Sequence, residues 1–156
     1  VDCDVHQGNG PAAIFSKDTT VFTFSIHQRD NYPSEKPPSS MDIHLPDATG
    51  DQEYMARLGD AVRTIVAGYQ PDLVVYVAGS DPFYDDQLGG LSMTKEGMFA
   101  RDRLVFENAF SHRVPVCVAL AGGYAHNLSD TVELHAQTYS AAMEAARDCG
   151  WPVVLA

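Results

Sequence analysis

Positive charge is scarce in this chain of 156 residues: ten Lys and Arg stand against 21 Asp and Glu, a formal net charge of −11. That balance argues against a protein that grips a phosphate backbone, so no direct nucleic-acid partner is expected. Acidity of this degree suits cationic substrates, although solubility alone accounts for it. Cysteine is sparse too. Cys3, Cys117 and Cys149 show no CxxC and no paired spacing, which argues against a disulfide framework. Cys3 and Cys117 lie in apolar strand-like runs, so reduced core thiols in an intracellular, cytoplasmic protein are expected. No apolar run approaches the roughly 18 residues of a membrane span, and no charged-then-apolar leader opens the chain. No membrane association is expected, and no repeat or low-complexity tract is visible.

What the chain does have is enough apolar residue, 45%, to build the core of one domain. Residues 19–26 (TTVFTFSI) are β-branched and aromatic and read as a buried strand. Residues 28–41 carry three prolines among polar residues and form a loop. Residues 41–46 read as a short edge strand closed by Asp47-Ala48-Thr49-Gly50. From Gln52 the apolar spacing is helical up to Gly68, the expected C-cap. Residues 73–78 (LVVYVA) form a continuous apolar run, expected of a strand covered on both faces. Thr94 is expected to cap a helix to about Ser111, residues 114–121 form the next buried strand, and Asp130 with Glu133 opens a helix to about Arg147. Residues 151–156 read as a last strand or a tail. Strand and helix alternate, which predicts an α/β fold with a parallel sheet flanked by helices.

In such sheets function gathers beyond the carboxyl ends of the strands. Three motifs lie there: His6-Gln7-Gly8 after VDCDV, Gly79-Ser80-Asp81 after LVVYVA, and Gly122-Gly123-Tyr124 after VCVALA. As a strand, residues 1–6 place Asp2, Asp4 and His6 on one side. A carboxylate and an imidazole two residues apart, followed by a glycine turn, are poor packing and good coordination chemistry. Asp4, His6 and Asp81 would supply oxygen and nitrogen ligands to a divalent metal such as zinc, with a position left open for chemistry; iron(II) or cobalt tolerate the same set. Asp2, one pleat deeper, needs a partner, whether a monovalent cation, a histidine or backbone N–H groups. Tyr124 follows two glycines that let the backbone turn tightly, and its phenol suits donation to an oxygen that gains negative charge.

These segments resemble the zinc-dependent histone deacetylase family, which includes acetoin-utilisation proteins and acetylpolyamine amidohydrolases. VDCDVHQGNG, VVYVAGSDPFYDDQLGGLSMTKEGMFARDRLVF and ALAGGYA carry the resemblance. LGGLS, T-x-x-G and RDxLVF are most similar to its class IV branch. The resemblance runs from Val1 to about His135 and implies the arginase/deacetylase fold, zinc on Asp4, His6 and Asp81, and Tyr124 as the catalytic hydrogen-bond donor. It implies that Asp2 and Asn9 orient a pair of catalytic histidines. Potassium would be held by Asp2, Asp4, Ser25 and the carbonyls of His6 and Ile26. Tyr32 is expected on the substrate channel with Gly122 and Gly123, and Asp86 as supporting structure. The implied activity is hydrolysis of an amide in an acyl-lysine protein or a small acylated amine.

Two departures qualify the resemblance. The family's adjacent His-His pair is absent, since no two histidines adjoin in this chain. Val1 also begins inside a strand. The chain is therefore expected to be the C-terminal portion (1–156) of a single deacetylase-like domain whose first strands are missing, and to be inactive by itself. Its open sheet edge invites self-association. The alternative is a non-catalytic metal-binding or interaction fragment. Arginase-like ureohydrolases, which bind two manganese ions, carry further carboxylates where this chain has Gly8 and Phe83, so a single metal is expected.

Overall fold

The computed structural model describes residues 1–152. Four strands are present: β1 (Phe24–Gln28), β2 (Met41–Leu45), β3 (Val74–Gly79) and β4 (Val116–Ala121). β1 pairs with β2 and β3 with β4, both in parallel. Residues 1–5 join the two pairs. Asp2 bridges Ser25 on one side and Val77 on the other, with Asp2 N donating to Phe24 O and Cys3 N to Val77 O. The order across the sheet is thus β2, β1, residues 1–5, β3, β4.

The opening residues are not a regular strand, contrary to their alternating pattern. Asp2 accepts the N–H of Asp4, and Asp4 accepts the N–H of His6. Such local side-chain bonds compete with the sheet ladder and bend the chain just where the ligand-type residues stand. The strand predicted over residues 19–26 is shifted, because residues 19–23 are irregular and β1 runs from Phe24 to Gln28.

The helices are α1 (Asn9–Ile14), α2 (Asp51–Thr64), α3 (Lys95–Ser111) and α4 (Leu128–Asp148). α2 widens into a π-helical turn over Ile65–Tyr69, so Gly68 lies inside that turn and Gln70, with φ of 56°, ends it. Thr94 caps α3 as expected, accepting from Gly97 N. α4 starts earlier than the Asp130–Glu133 signal suggests, because Asn127 is its cap and accepts from Ser129 N. α3 packs against both α2 and α4. Tyr76 of β3 stacks edge-on to Phe106 of α3, so that face of the sheet is helix-covered.

The opposite face is open. Val75 is 51% exposed, and with Val77, Phe22, Phe24 and Leu73 it borders a cavity of about 730 Å³. β4 alternates between half-buried and exposed positions, and Cys117 is exposed. The expectations that β3 is covered on both faces, that β4 is buried and that Cys117 is a core thiol are therefore corrected. Cys3 is buried as expected, and burial pushes its thiol up to about 12. Trp151 and Pro152 are not strand, and residues 153–156 of the expected last strand lie outside the described residues. Among the described residues, no helix is long and apolar enough to cross a membrane.

Candidate metal centre

Three strand ends meet on one rim of the sheet. The bend after residue 3 delivers Asp4 and His6, the turn after β3 delivers Asp81, and the turn after β4 brings Gly122 against the two carboxylates and Gly123 against Ser80. One ligand-type atom each from Asp4, His6 and Asp81 lies within 4.8 Å of the others. His6 Nδ1 is 2.9 Å from Asp4 Oδ1 and 3.3 Å from Asp81 Oδ2. Asp81 is nearly fully buried, and its Oδ1 accepts the Val5 N–H at 2.7 Å, which ties the two segments directly.

The electrostatics call for positive charge. Burial raises the Asp81 carboxyl to about 6, opposed by its bond to His6. The bond to Asp81 raises the His6 imidazole to about 9, with Asp4 adding to the effect. Burial likewise lifts Asp2 to about 7. A divalent cation satisfies the same demand that otherwise draws a proton onto His6.

Glycine keeps the space open. A Cβ on Gly122 would collide with the Asp81 and Asp4 carboxylates, and one on Gly79 would stand 2.6 Å from the Asp4 Cα. Gly122 also has a φ of 52°, where a side chain is strained. Two carboxylates, one imidazole and a cradle free of side-chain atoms fit one cation. Phe83, two residues after Asp81, is a buried core residue and offers no ligand atom.

The other predicted site residues divide. Asp2 sits beneath Gly8, whose Cβ would strike its carboxylate, and Ser25 Oγ accepts the Gly8 N–H at 3.3 Å. Asp2 and Ser25 are thus gathered under one glycine, and Asp2 takes the backbone N–H of Asp4 among the partners considered for it. Ile26 N donates to Asp2 O. The Tyr32 ring lies edge-on to His6, 6.4 Å between centroids, and is exposed. Asn9 opens α1. Tyr124 is 61% exposed; its N–H donates to Asp86 Oδ2 at 2.6 Å, and its carbonyl accepts from Gln87. Asp86 also accepts from Leu88 N and Gly89 N, so it is a loop organiser, as expected.

Sequence reasoning used Arg101 and Asp102 only as the start of RDxLVF and gave no role to them, an ion pair buried beneath the rim. The signal was there. They fall on the buried stripe of α3 with Met98, Val105 and Phe106, where two adjacent charges are out of place unless paired. Ser80 and His135 were passed over as well. Ser80 Oγ donates to Gly122 O at 3.2 Å, and His135 Nε2 lies at the same distance from that carbonyl, so both brace the glycine turn.

This parallel sheet, with Asp4, His6 and Asp81 at the carboxyl ends of its strands, has the arginase/deacetylase fold of its solved neighbours. The crystal structure of an acetylpolyamine aminohydrolase from Burkholderia pseudomallei superimposes with a TM-score of 0.72 at 24% identity, covering 90% of this chain and 43% of that one. The histone deacetylase domain matches residues 1–139, and the chain belongs to that family. An uncharacterised protein of Picosynechococcus is 42% identical over 92% of this chain and 48% of its own length. Histone deacetylase 2 of Arabidopsis thaliana is 29% identical over 85% of this chain and 36% of its own length. The chain therefore spans less than half the length of these relatives.

Proposed function

We propose that this sequence is the metal-binding half of a zinc-dependent amidohydrolase that removes acyl groups from acyl-lysine side chains or small acylated amines. The observation that carries the reading is the convergence of Asp4, His6 and Asp81 on one point. Family membership and the likeness to an acetylpolyamine aminohydrolase support it. When bound, zinc acts as a Lewis acid toward the amide carbonyl and makes water a better nucleophile. Asp4, His6 and Asp81 hold the ion. Tyr124 donates its phenolic hydrogen to the carbonyl oxygen as that oxygen gains charge. Gly122 and Gly123 leave room for the acyl group, and Tyr32 forms a wall of the channel. Asp2, Asp4, Ser25 and the carbonyls of His6 and Ile26 bind potassium, and Asp2 and Asn9 orient proton-transferring groups.

General-base work falls to residues outside this sequence, which has no adjacent histidine pair. The isolated chain accordingly binds zinc and turns over little, and the outer edge of β4, unpaired among the described residues, pairs with a second copy. Elemental analysis and a fluorogenic acetyl-lysine peptide test this together. One zinc per chain with negligible turnover is expected. In a protein that carries both halves, Tyr124→Phe lowers zinc-dependent turnover by about 10²–10³-fold. Near-normal turnover in that variant removes Tyr124 from the mechanism, and a chain that takes up no zinc sinks the whole reading.

A further inference from the structure

We infer that Arg101 is a positioning residue whose buried guanidinium sets the spacing between the two segments that carry Asp4, His6 and Asp81. The inference rests on the reading of those three residues as ligands of one cation.

Arg101 is 1% exposed, in the middle of α3. Its Nη1 donates to two backbone carbonyls at once, Gly79 O at 2.7 Å and Cys3 O at 3.2 Å. Cys3 immediately precedes Asp4, and Gly79 lies two residues before Asp81. Cys3 is the residue whose N–H makes the ladder bond to Val77 O, and Gly79 lies two residues past Val77, where the first segment bends away toward the rim. A single nitrogen therefore spans the root of the site. Directly above it the two segments touch, through Val5 N and Asp81 Oδ1.

The rest of the guanidinium is fixed from behind. Nε and Nη2 each lie 2.8 Å from Asp102 Oδ1. Asp102 in turn accepts from Tyr76 Oη of β3 at 2.5 Å and from Thr138 Oγ1 of α4 at 2.7 Å. The planar fork cannot rotate without breaking one of these bonds. A buried ion pair is a weak source of stability, and apolar replacements of similar volume are often as stable or more so. What apolar side chains cannot reproduce is simultaneous donation to two carbonyls. Metal ligands must be held to within a fraction of an ångström, so a clamp at the root of both ligand segments acts where tolerance is smallest.

The test uses the chain as it is. Arg101→Lys keeps the charge for Asp102 but presents a point donor in place of the fork. Three quantities are measured: zinc affinity by chelator competition, the visible spectrum of the cobalt(II) form, and amide hydrogen exchange of Val5 relative to Ile26, whose N–H bonds to Asp2 O on the other flank. The expected result is about 10–100-fold weaker zinc binding, an altered cobalt spectrum and at least roughly tenfold faster exchange at Val5 than at Ile26. Thr138→Val, which removes the α4 bond to Asp102 and a longer one to Leu134 O within α4 but leaves the Arg101 fork paired, lowers the urea midpoint and leaves all three unchanged. If Arg101→Lys does not fold, the double variant R101M/D102L removes both charges together and must show the same losses. Wild-type zinc affinity and Val5 protection in a folded variant overturn the clamp. A wild-type chain that binds no zinc defeats the ligand reading instead, and Val5 exchange still decides the clamp.

Discussion

The two flanks of the central segment contrast. β1 is buried at all five positions, and its polar residues are paired inside: His27 bonds Ser25 Oγ through Nδ1 and His44 through Nε2, at 2.9 and 2.8 Å. β3 and β4 are the more apolar in sequence, yet Val75 and Leu120 are 51% and 43% exposed. The better-hidden strand is thus the more polar one. Apolar content records how many layers a strand is composed to meet, whereas polar content is tolerated wherever partners are built in. Val75, Cys117 and Leu120 have the composition of residues with a layer above them, in a chain that spans less than half the length of its relatives.

The largest expected effect lies on the β3 flank. Asp102→Ala leaves Arg101 charged and unpaired in the core, and should lower stability by roughly 3–5 kcal/mol in urea unfolding. A loss below about 1 kcal/mol would mean that this flank is held by its apolar contacts alone.

The β1 flank should answer to pH instead. Burial, with the neighbouring His44, lowers His27 to about 4 from its ordinary value of 6.5. The folded chain keeps this imidazole neutral while the unfolded chain protonates it, so its contribution is intact above pH 6.5 and is lost as pH falls toward 4. The full loss is about 3 kcal/mol. Because raised carboxyls at Asp2 and Asp81 gain stability over the same window, the signature is a difference: on acidification the urea midpoint of the wild type should fall relative to that of His27→Gln. Equal slopes would place the acid sensitivity elsewhere.

Where the flanks meet, Asp81→Asn removes one of the three proposed ligands and should weaken zinc binding by roughly 100-fold or more in chelator competition. The smallest effect on stability is expected at the open edge. Leu120→Lys should change stability by less than about 0.5 kcal/mol while reducing the self-associated fraction in sedimentation; an unchanged fraction excludes β4 as the contact.

Much of this was legible in the residues because it is local chemistry. Thr94 ahead of a helical run reads as a cap and is one, and Asp4 and His6, two apart before a glycine turn, do come together with Asp81. The order of strand ends on one rim follows from alternation of strand and helix. The bend at residues 2–6 was not legible, because alternation looks the same whether N–H groups go to a neighbouring strand or to an aspartate two residues back. Nor was the exposed face of β3 and β4, since continuous apolar runs are silent about which layers are present. Arg101 was missed because a charged pair on a helix is ordinarily read as solvated, and only the long-range carbonyls of Cys3 and Gly79 give it a purpose.

The anchoring of Tyr124 has a consequence for motion. Asp86 and Gln87 grip its main chain from both sides, while the aromatic ring stands in solvent. A side chain fastened at its root and loose at its tip reorients by turning about two bonds, within nanoseconds, with no loop having to open. The ring can therefore change direction while the backbone that carries it stays fixed.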